Sequence, residues 1–289
     1  MLKTKGEKVF DVINVILMSV LILVFVVPFL VIVCSSITSE QALAKYGTSL
    51  IIHEFSLENY KFIFSRGSAV LRAFGISVLI TVITTVLTIV VNVLLAYPLS
   101  KKGFVGKKFF NVYIVITMLF GGGMIPFYLL IEKMNLLNNL WSLILPIIAS
   151  AWNVILLRNY FAGIPSSLEE AAKIDGATNW QILRRVYLPL SMPVIATVAL
   201  FAAVNQWNSW TTTRMFIDPN HSELYPLQYL IHNMINDVNN LTGTSSEGDV
   251  SQIGVQNAAI VVATVPILMI YPALQKYFIN GVIVGSVKE

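Results

Sequence analysis

The amino-acid sequence predicts an all-α polytopic membrane protein with six transmembrane helices. Three observations carry that expectation. Of 289 residues, 56% are hydrophobic and 12% charged, whereas about 25% charged is usual for a soluble domain. Six windows, 12–39, 73–100, 109–131, 134–157, 186–213 and 250–275, contain no Asp, Glu, Lys or Arg, and each exceeds the roughly 20 residues a helix needs to cross a bilayer. The windows are continuously apolar rather than alternating as spanning strands are, and a helix satisfies its own backbone groups in lipid.

The first window follows Lys3, Lys5 and Lys8 as a signal peptide would, but it is too long for a signal core and no small-residue cleavage site follows it, so it is expected to stay as an anchor. The third holds Gly121-Gly122-Gly123 and Pro126, which should break the helix midway, either as a hinge or cavity-lining kink or to let helices pack closely. The fourth carries Trp152-Asn153. The fifth starts with Pro189 and Pro193 and ends Asn205-Gln206-Trp207-Asn208-Ser209-Trp210. Unpaired amides in an apolar setting cost about 1–3 kcal/mol each, so Asn205, Gln206 and Asn208, and more weakly Asn153, are expected to face the bundle interior or a partner. Trp207 and Trp210 also suit an aromatic belt at the membrane interface.

Charge sets the expected orientation. With the N-terminus taken as cytoplasmic, thirteen Lys and Arg fall in the inside segments and six in the outside ones, so both termini are predicted inside. The chain then reads as one transmembrane domain, 1–289, with extracytoplasmic segments 40–70 and 210–255 and a cytoplasmic loop 164–187. A connection as long as 210–255 is uncommon without a function, and Tyr225 to Ile235 reads as a short helix within it.

Several function classes recede. Ion-coupled transporters and intramembrane enzymes usually place ionisable groups inside the bilayer, and the six windows hold none, His included. Secondary transporters can bind ions through backbone carbonyls at broken helices, so ion-coupled transport stays as the alternative reading. A membrane enzyme of glycan or lipid chemistry comes third, because the nearest acids, Glu132, Asp218 and Glu223, have no companion motif. Gly103-Phe104-Val105-Gly106-Lys107 has two residues between its glycines where a phosphate loop needs four. His53, His221 and His232 are scattered, and Cys34 is the sole cysteine, so no catalytic set, metal site, cofactor or intrachain disulfide is expected. The basic residues flank the spans rather than forming a stripe, which fits topology and not nucleic acid.

The polar stretch EEAAKIDGATNWQILRRVYLP, residues 169–189, interrupts this apolar chain. Ser167 with Glu170 fits a capping box that would start a helix, and Glu169 and Glu170 lie at its positive end. Gly176 can take the left-handed conformation that ends a helix, and Thr178 with Gln181 fits a second box. The stretch therefore reads as helix, tight turn, helix. Isolated helices below about 12–15 residues are marginal in water, so the first needs a docking surface, on its own bundle or on a partner.

Glu170-Ala171-Ala172, Gly176 after three residues, Val186 after nine and then Leu188-Pro189 resemble the EAA loop, E-A-A-x3-G-x9-I-x-L-P, of permease subunits of ATP-binding-cassette (ABC) importers. Only Val186 for Ile departs from the pattern. Ala177 after Asp175-Gly176, Pro193, the Trp207-Asn208 pair and the tail Gln275-Lys276-Tyr277-Phe278 with Gly281 and Gly285 are similar to the carbohydrate branch, the maltose-type permease. The resemblance implies a type I ABC importer transmembrane domain in a bacterial plasma membrane. It further implies a second homologous permease subunit, two cytoplasmic ATPase subunits that bind ATP and Mg, an extracytoplasmic solute-binding protein, and a carbohydrate cargo, expected to be an oligosaccharide. Glu170, Ala171, Ala172, Asp175, Gly176 and Ala177 would couple the chain to the ATPase. Asn205, Gln206, Trp207, Asn208, Trp210 and Asn153 would then be candidates for the substrate path, since amides hydrogen-bond sugar hydroxyls and indoles stack on sugar rings.

Overall fold

The computed structural model describes residues 4–65, 67–241 and 253–269. The tail residues after 275 and the Gly243–Gly248 turn region lie outside the described residues. Among the described residues every regular element is helical, and one isolated bridge, Thr38 with Phe55, is the only extended pairing. Two long apolar helices, three bent helix pairs and one shorter apolar helix stand where six spans are expected.

The described residues fall into two compact units, the first from Met1–Val70 with Ile231–Pro266 and the second from Leu71–Leu230 with Ile267–Glu289. In the first unit, α1 (Lys5–Ser36) is started by a capping box in which Glu7 N–H donates to Thr4 Oγ1 and Thr4 N–H to Glu7. Its apolar side chains are exposed all round in the single chain, as a helix facing lipid or another subunit requires. Two short helices follow, α2 (Glu40–Tyr46) and α3 (Glu58–Ser65). Buried Asn59 on α3 donates to the carbonyls of Ser36 (3.1 Å) and Thr38 (3.3 Å), satisfying the end of α1. Gly254, on the helix Ile253–Met269, approaches so closely that a Cβ there would meet Asn59 at 2.5 Å.

In the second unit, α4 (Gly67–Ser100) is the axis. One apolar cluster gathers Val93, Ala96, Leu157, Phe161, Ile182, Leu183 and Val198 around its C-terminal half. Another gathers Ile80, Ile131, Leu143, Phe216 and Ile217 around its N-terminal half. Between them α4 presents Thr81, Thr84, Thr88 and Asn92, spaced three and four residues apart and so stacked on one face.

The remaining spans are broken. α5 (Lys107–Leu119) and α6 (Met124–Lys133) are bent by 113° at Phe120–Gly123, where Gly123 takes φ 85°. α7 (Trp141–Ile144) continues as a 3-10 turn to Ile147 and meets α8 (Ala151–Ala162) at 44°. Asn92 closes that break: its Nδ2 donates to Ile148 O (2.7 Å), and its Oδ1 accepts from Ser150 N–H (3.1 Å).

The fifth window was expected to be one helix from 186 to 213; the structure bends it by 81°. Helix α10 (Asn179–Ile182), a π-turn over Leu183–Tyr187 and α11 (Leu188–Leu190) form an elbow, and α12 (Met192–Asn208) leaves it at Ser191. The reason is Pro193, which has no N–H to offer the carbonyl four residues back and whose ring crowds it. That carbonyl is Pro189's; the next one, of Leu190, accepts from the Tyr160 hydroxyl at 3.2 Å. α13 (Thr211–Phe216) and α14 (Leu227–Leu241) follow, and the helix expected from Tyr225 starts at Leu227, its N–H donating to Ser77 Oγ at 2.7 Å.

Asn92→Leu should leave Ile148 O and Ser150 N–H without partners inside the bundle, at about 1–3 kcal/mol for each. A lower midpoint of thermal unfolding in detergent, relative to wild type, is the expected outcome; an unchanged midpoint would show that water closes the break instead.

Candidate functional site

Residues 164–190 form a capped hairpin. α9 (Ser166–Ile174) starts at Ser166 after Pro165, with no side chain capping its first amides. The expected Ser167–Glu170 box therefore does not form. The proline's fixed φ sets the entry two residues early, which leaves Ser167 inside the first turn rather than at the cap. The other end is closed by backbone alone. Ala177 N–H donates to Ala172 O (2.9 Å) and Gly176 N–H to Lys173 O (3.0 Å), the paired bonds of a Schellman motif. Gly176 sits at φ 78°, which a side chain would strain even though a Cβ there meets nothing within 4 Å. The Thr178–Gln181 box does form, with Thr178 N–H donating to Gln181 Oε1 (2.8 Å) and Gln181 N–H to Thr178 Oγ1 (3.3 Å).

The six residues matched to the EAA pattern divide by direction. Ala172 and Ala177 pack on the apolar cluster of Phe161 and Ile182. Glu170, Ala171, Asp175 and Gly176 are exposed. Around them Leu168, Ile174 and Trp180 are exposed too, Ile174 by 87% and Trp180 by 60%.

The hairpin is held by Glu169, which the sequence placed only at the positive end of its own helix. Glu169 Oε2 pairs with Lys101 Nζ (2.6 Å) just beyond α4 and accepts from the Tyr187 hydroxyl (2.8 Å) on the elbow. Its Oε1 pairs with Lys173 Nζ at 2.9 Å. The Lys101 ammonium also sits over the rings of Tyr187 (3.9 Å) and Tyr97 (4.2 Å), and Tyr97 donates to Asn179 O at 3.2 Å. Burial alone would push the Glu169 carboxyl up, but hydrogen bonds from Lys101, Lys173 and Tyr187 outweigh it and bring the pKa from 4.5 to about 2. Burial also pulls the Lys101 ammonium below its ordinary value, with Glu169 pulling the other way. The carboxylate is the more strongly perturbed member because it collects three donors, whereas the ammonium has one anionic partner. The local signal was the Glu169–Lys173 spacing of four residues; Lys101 lies 68 residues away.

Deeper in the same unit, a cavity of about 240 Å³ is lined by Thr84, Thr88, Ile147, Ser150, Trp152, Asn153, Phe201, Ala202 and Asn205. Ser150 Oγ caps α8 by accepting from Asn153 N–H at 3.4 Å. Of the residues singled out in the sequence, the structure brings Asn153 and Asn205 together here. Gln206 and Trp207 are buried elsewhere, Trp207 edge-on to Phe74 with ring centroids 6.0 Å apart, so its indole is no belt residue. Trp210 packs against the cluster of Phe216, and Asn208 is exposed. Gly121, Gly122, Gly123 and Pro126 line a separate apolar cavity of about 580 Å³. Asp218 is tied to Asn138, accepting from Nδ2 (2.8 Å) and donating its N–H to Oδ1 (2.7 Å). Among the described residues no three His, Cys, Asp or Glu gather as metal ligands.

Broken membrane helices around an uncharged cavity, with an exposed hairpin of short helices, are the architecture of a membrane transport subunit. Residues 89–284 match the binding-protein-dependent transport system inner membrane component family, and the chain belongs to it. It is 38% identical to Protein LplC of Bacillus subtilis over 99% of this chain and 97% of that one. It is also 38% identical to the polygalacturonan/rhamnogalacturonan transport system permease protein YtcP of the same organism, over 92% of this chain and 93% of that one. The fold matches a chain of a bacterial ABC transporter involved in the import of the acidic polysaccharide alginate, with TM-score 0.82, 30% identity and coverage of 96% and 99%. The protein is thus a permease of the sugar ABC transporter class, embedded in the membrane.

Glu169→Gln should cost about 1–3 kcal/mol by leaving Lys101 without its counter-charge. Because the native carboxyl titrates at about 2 rather than 4.5, its stabilisation is complete above pH about 4.5 and is lost as pH falls toward about 2. Thermal melts over that range should show a shallower acid loss in Glu169→Gln than in wild type, and equal slopes would remove Glu169 from the account.

Proposed function

We propose that this chain is the membrane-spanning permease subunit of an ATP-driven importer that takes up an oligosaccharide delivered by an extracytoplasmic solute-binding protein. The observation that carries the reading is the hairpin around Gly176. It is capped at both helix junctions and anchored by Glu169, yet it leaves Leu168, Ile174 and Trp180 in water. Exposed apolar side chains on a rigid tip mark a docking surface. Glu170, Ala171 and Asp175 lie on that outward side, so the docking partner is a cytoplasmic ATPase, with ATP and Mg bound there and not here.

The positive-inside count supports a hairpin and both termini in the cytoplasm, with segments 40–70 and 210–255 outside. The complex would hold two ATPase subunits and a second, homologous permease, which would cover part of the apolar surface of α1. ATP-driven closure of the ATPase pair would carry the hairpins together and rock the attached spans between inward-open and outward-open states. The names of relatives, among them arabinooligosaccharide and trehalose/maltose permeases, support a saccharide cargo.

The chain co-expressed with its neighbouring ATPase should co-purify with it, and uptake in vesicles should follow ATP and survive dissipation of ion gradients. Uptake that collapses with the gradient while ATP persists would instead establish ion-coupled transport.

Gly176→Val forces a β-branched residue into the left-handed region, at about 1–2 kcal/mol. Uptake per ATP hydrolysed should fall several-fold while the amount of protein in the membrane is unchanged; normal coupling would remove Gly176 from the mechanism.

A further inference from the structure

We propose that the cavity between α4, α8 and α12 is a sugar-contact site of this subunit itself, taking one ring of the cargo through its hydroxyl groups. The inference rests on the importer reading and adds to it the part of the path that this chain contributes and the chemistry it recognises.

Asn153 carries the argument. It is 6% exposed, and its side-chain amide has no hydrogen-bond partner among the described residues, although its own backbone N–H is capped by Ser150. The Thr84 and Thr88 hydroxyls, which line the same cavity, are fully buried and have no hydrogen-bond partner among the described residues, and buried polar groups left unpaired are unfavourable unless something enters to satisfy them. The Asn153 amide borders this cavity of about 240 Å³, which the Asn205 side chain, also without a partner among the described residues, borders from α12. Two amides, each offering a donor and an acceptor, match the paired donor and acceptor character of neighbouring sugar hydroxyls. Trp152 and Phe201, both substantially exposed, border the same space and present flat apolar faces of the kind that cover the C–H face of a ring.

Size and charge narrow the ligand. Drug-sized ligands occupy roughly 300–1,000 Å³, so about 240 Å³ is the scale of one ring rather than of a whole oligosaccharide. No lining residue is charged. Of the amides near the start of α8, the Ser150 N–H is taken by Asn92 Oδ1 and the Asn153 N–H by Ser150 Oγ. A carboxylate would therefore lose its hydration without gaining a counter-ion. The site suits a neutral ring, or the neutral part of a mixed chain.

The test uses the whole complex, permeases with ATPases, purified in nanodiscs and trapped with ATP and vanadate in the absence of binding protein. Tritiated maltotriose, arabinotriose, galactotriose and trigalacturonate serve as probes in equilibrium dialysis. At least one neutral trisaccharide should bind saturably, and about tenfold more tightly than trigalacturonate. Asn153→Leu, which fills the space, and Asn205→Ala, which alters an exposed residue and leaves the fold intact, should each weaken that binding about tenfold, the loss expected for one good hydrogen bond. Wild-type affinity in both variants, tighter binding of trigalacturonate, or no binding of any neutral probe would overturn the proposal. Vanadate trapping itself reports separately on the importer reading: a complex that does not trap refutes that reading, whereas one that traps and does not bind refutes only the site.

Discussion

Lipid cannot hydrogen-bond a peptide group, and this constraint governs the second unit of the chain. Three of its spans are broken, and every break frees amides and carbonyls that would each cost several kcal/mol if left bare in hydrocarbon. Asn92 closes the break before α8 by reaching both sides of it, donating to Ile148 O and accepting from Ser150 N–H. Tyr160 closes the elbow at Leu190. The break between α5 and α6 is left to glycine and an adjacent apolar cavity. Irregular backbone at membrane depth is tolerated where protein or a cavity surrounds it, and the two cavities lie at two of these breaks.

The same constraint explains what could be read from the sequence. Apolar windows identified the spans because hydropathy reports on lipid, and the helix signals around Gly176 and Thr178 are local, so they too were legible. The Ser167–Glu170 box satisfies the same local rule, yet Pro165 starts the helix two residues early and the box is never made. Bends were half legible: Gly121 to Gly123 and Pro193 announce a break, but nothing local gives its angle. The roles of Asn92 and Glu169 were missed because each acts across the fold, Asn92 on residues 56 and 58 positions away and Glu169 on one 68 positions away. The spacing of Thr81, Thr84, Thr88 and Asn92 on one face of α4 is present in the sequence, but nothing local to it shows what lines the other side of that face.

Glu169 joins three parts of the chain that the sequence keeps apart. One carboxylate receives the end of α4, the next turn of its own helix and the elbow before α12. Removing any single donor leaves a charge that is already mostly desolvated, so the three contacts support one another. Lys101, lying over two tyrosine rings, is fixed by shape as well as charge. The hairpin is consequently part of the bundle's end rather than a loop hung from it.

That arrangement bears on how a push on the hairpin would be transmitted in the proposed importer. A flexible loop would absorb displacement by changing its own dihedrals. Here the turn is locked by a Schellman pair and a capping box, and its base is tied to α4 and to the elbow. Displacement of α9 must therefore move both together. Because the elbow meets α12 at 81°, a movement along the elbow becomes a sideways or rocking movement of α12, the helix that brings Asn205 to the cavity. Asn153 stays with α8, whose break is pinned to α4 through Asn92. The two amides facing the cavity thus belong to helices anchored in different ways, so a rocking that opened the path would also change the distance between the groups that would hold the ring. A site built from weak, uncharged contacts on two such helices can be assembled and taken apart by a modest movement, which a site built on a buried ion pair could not.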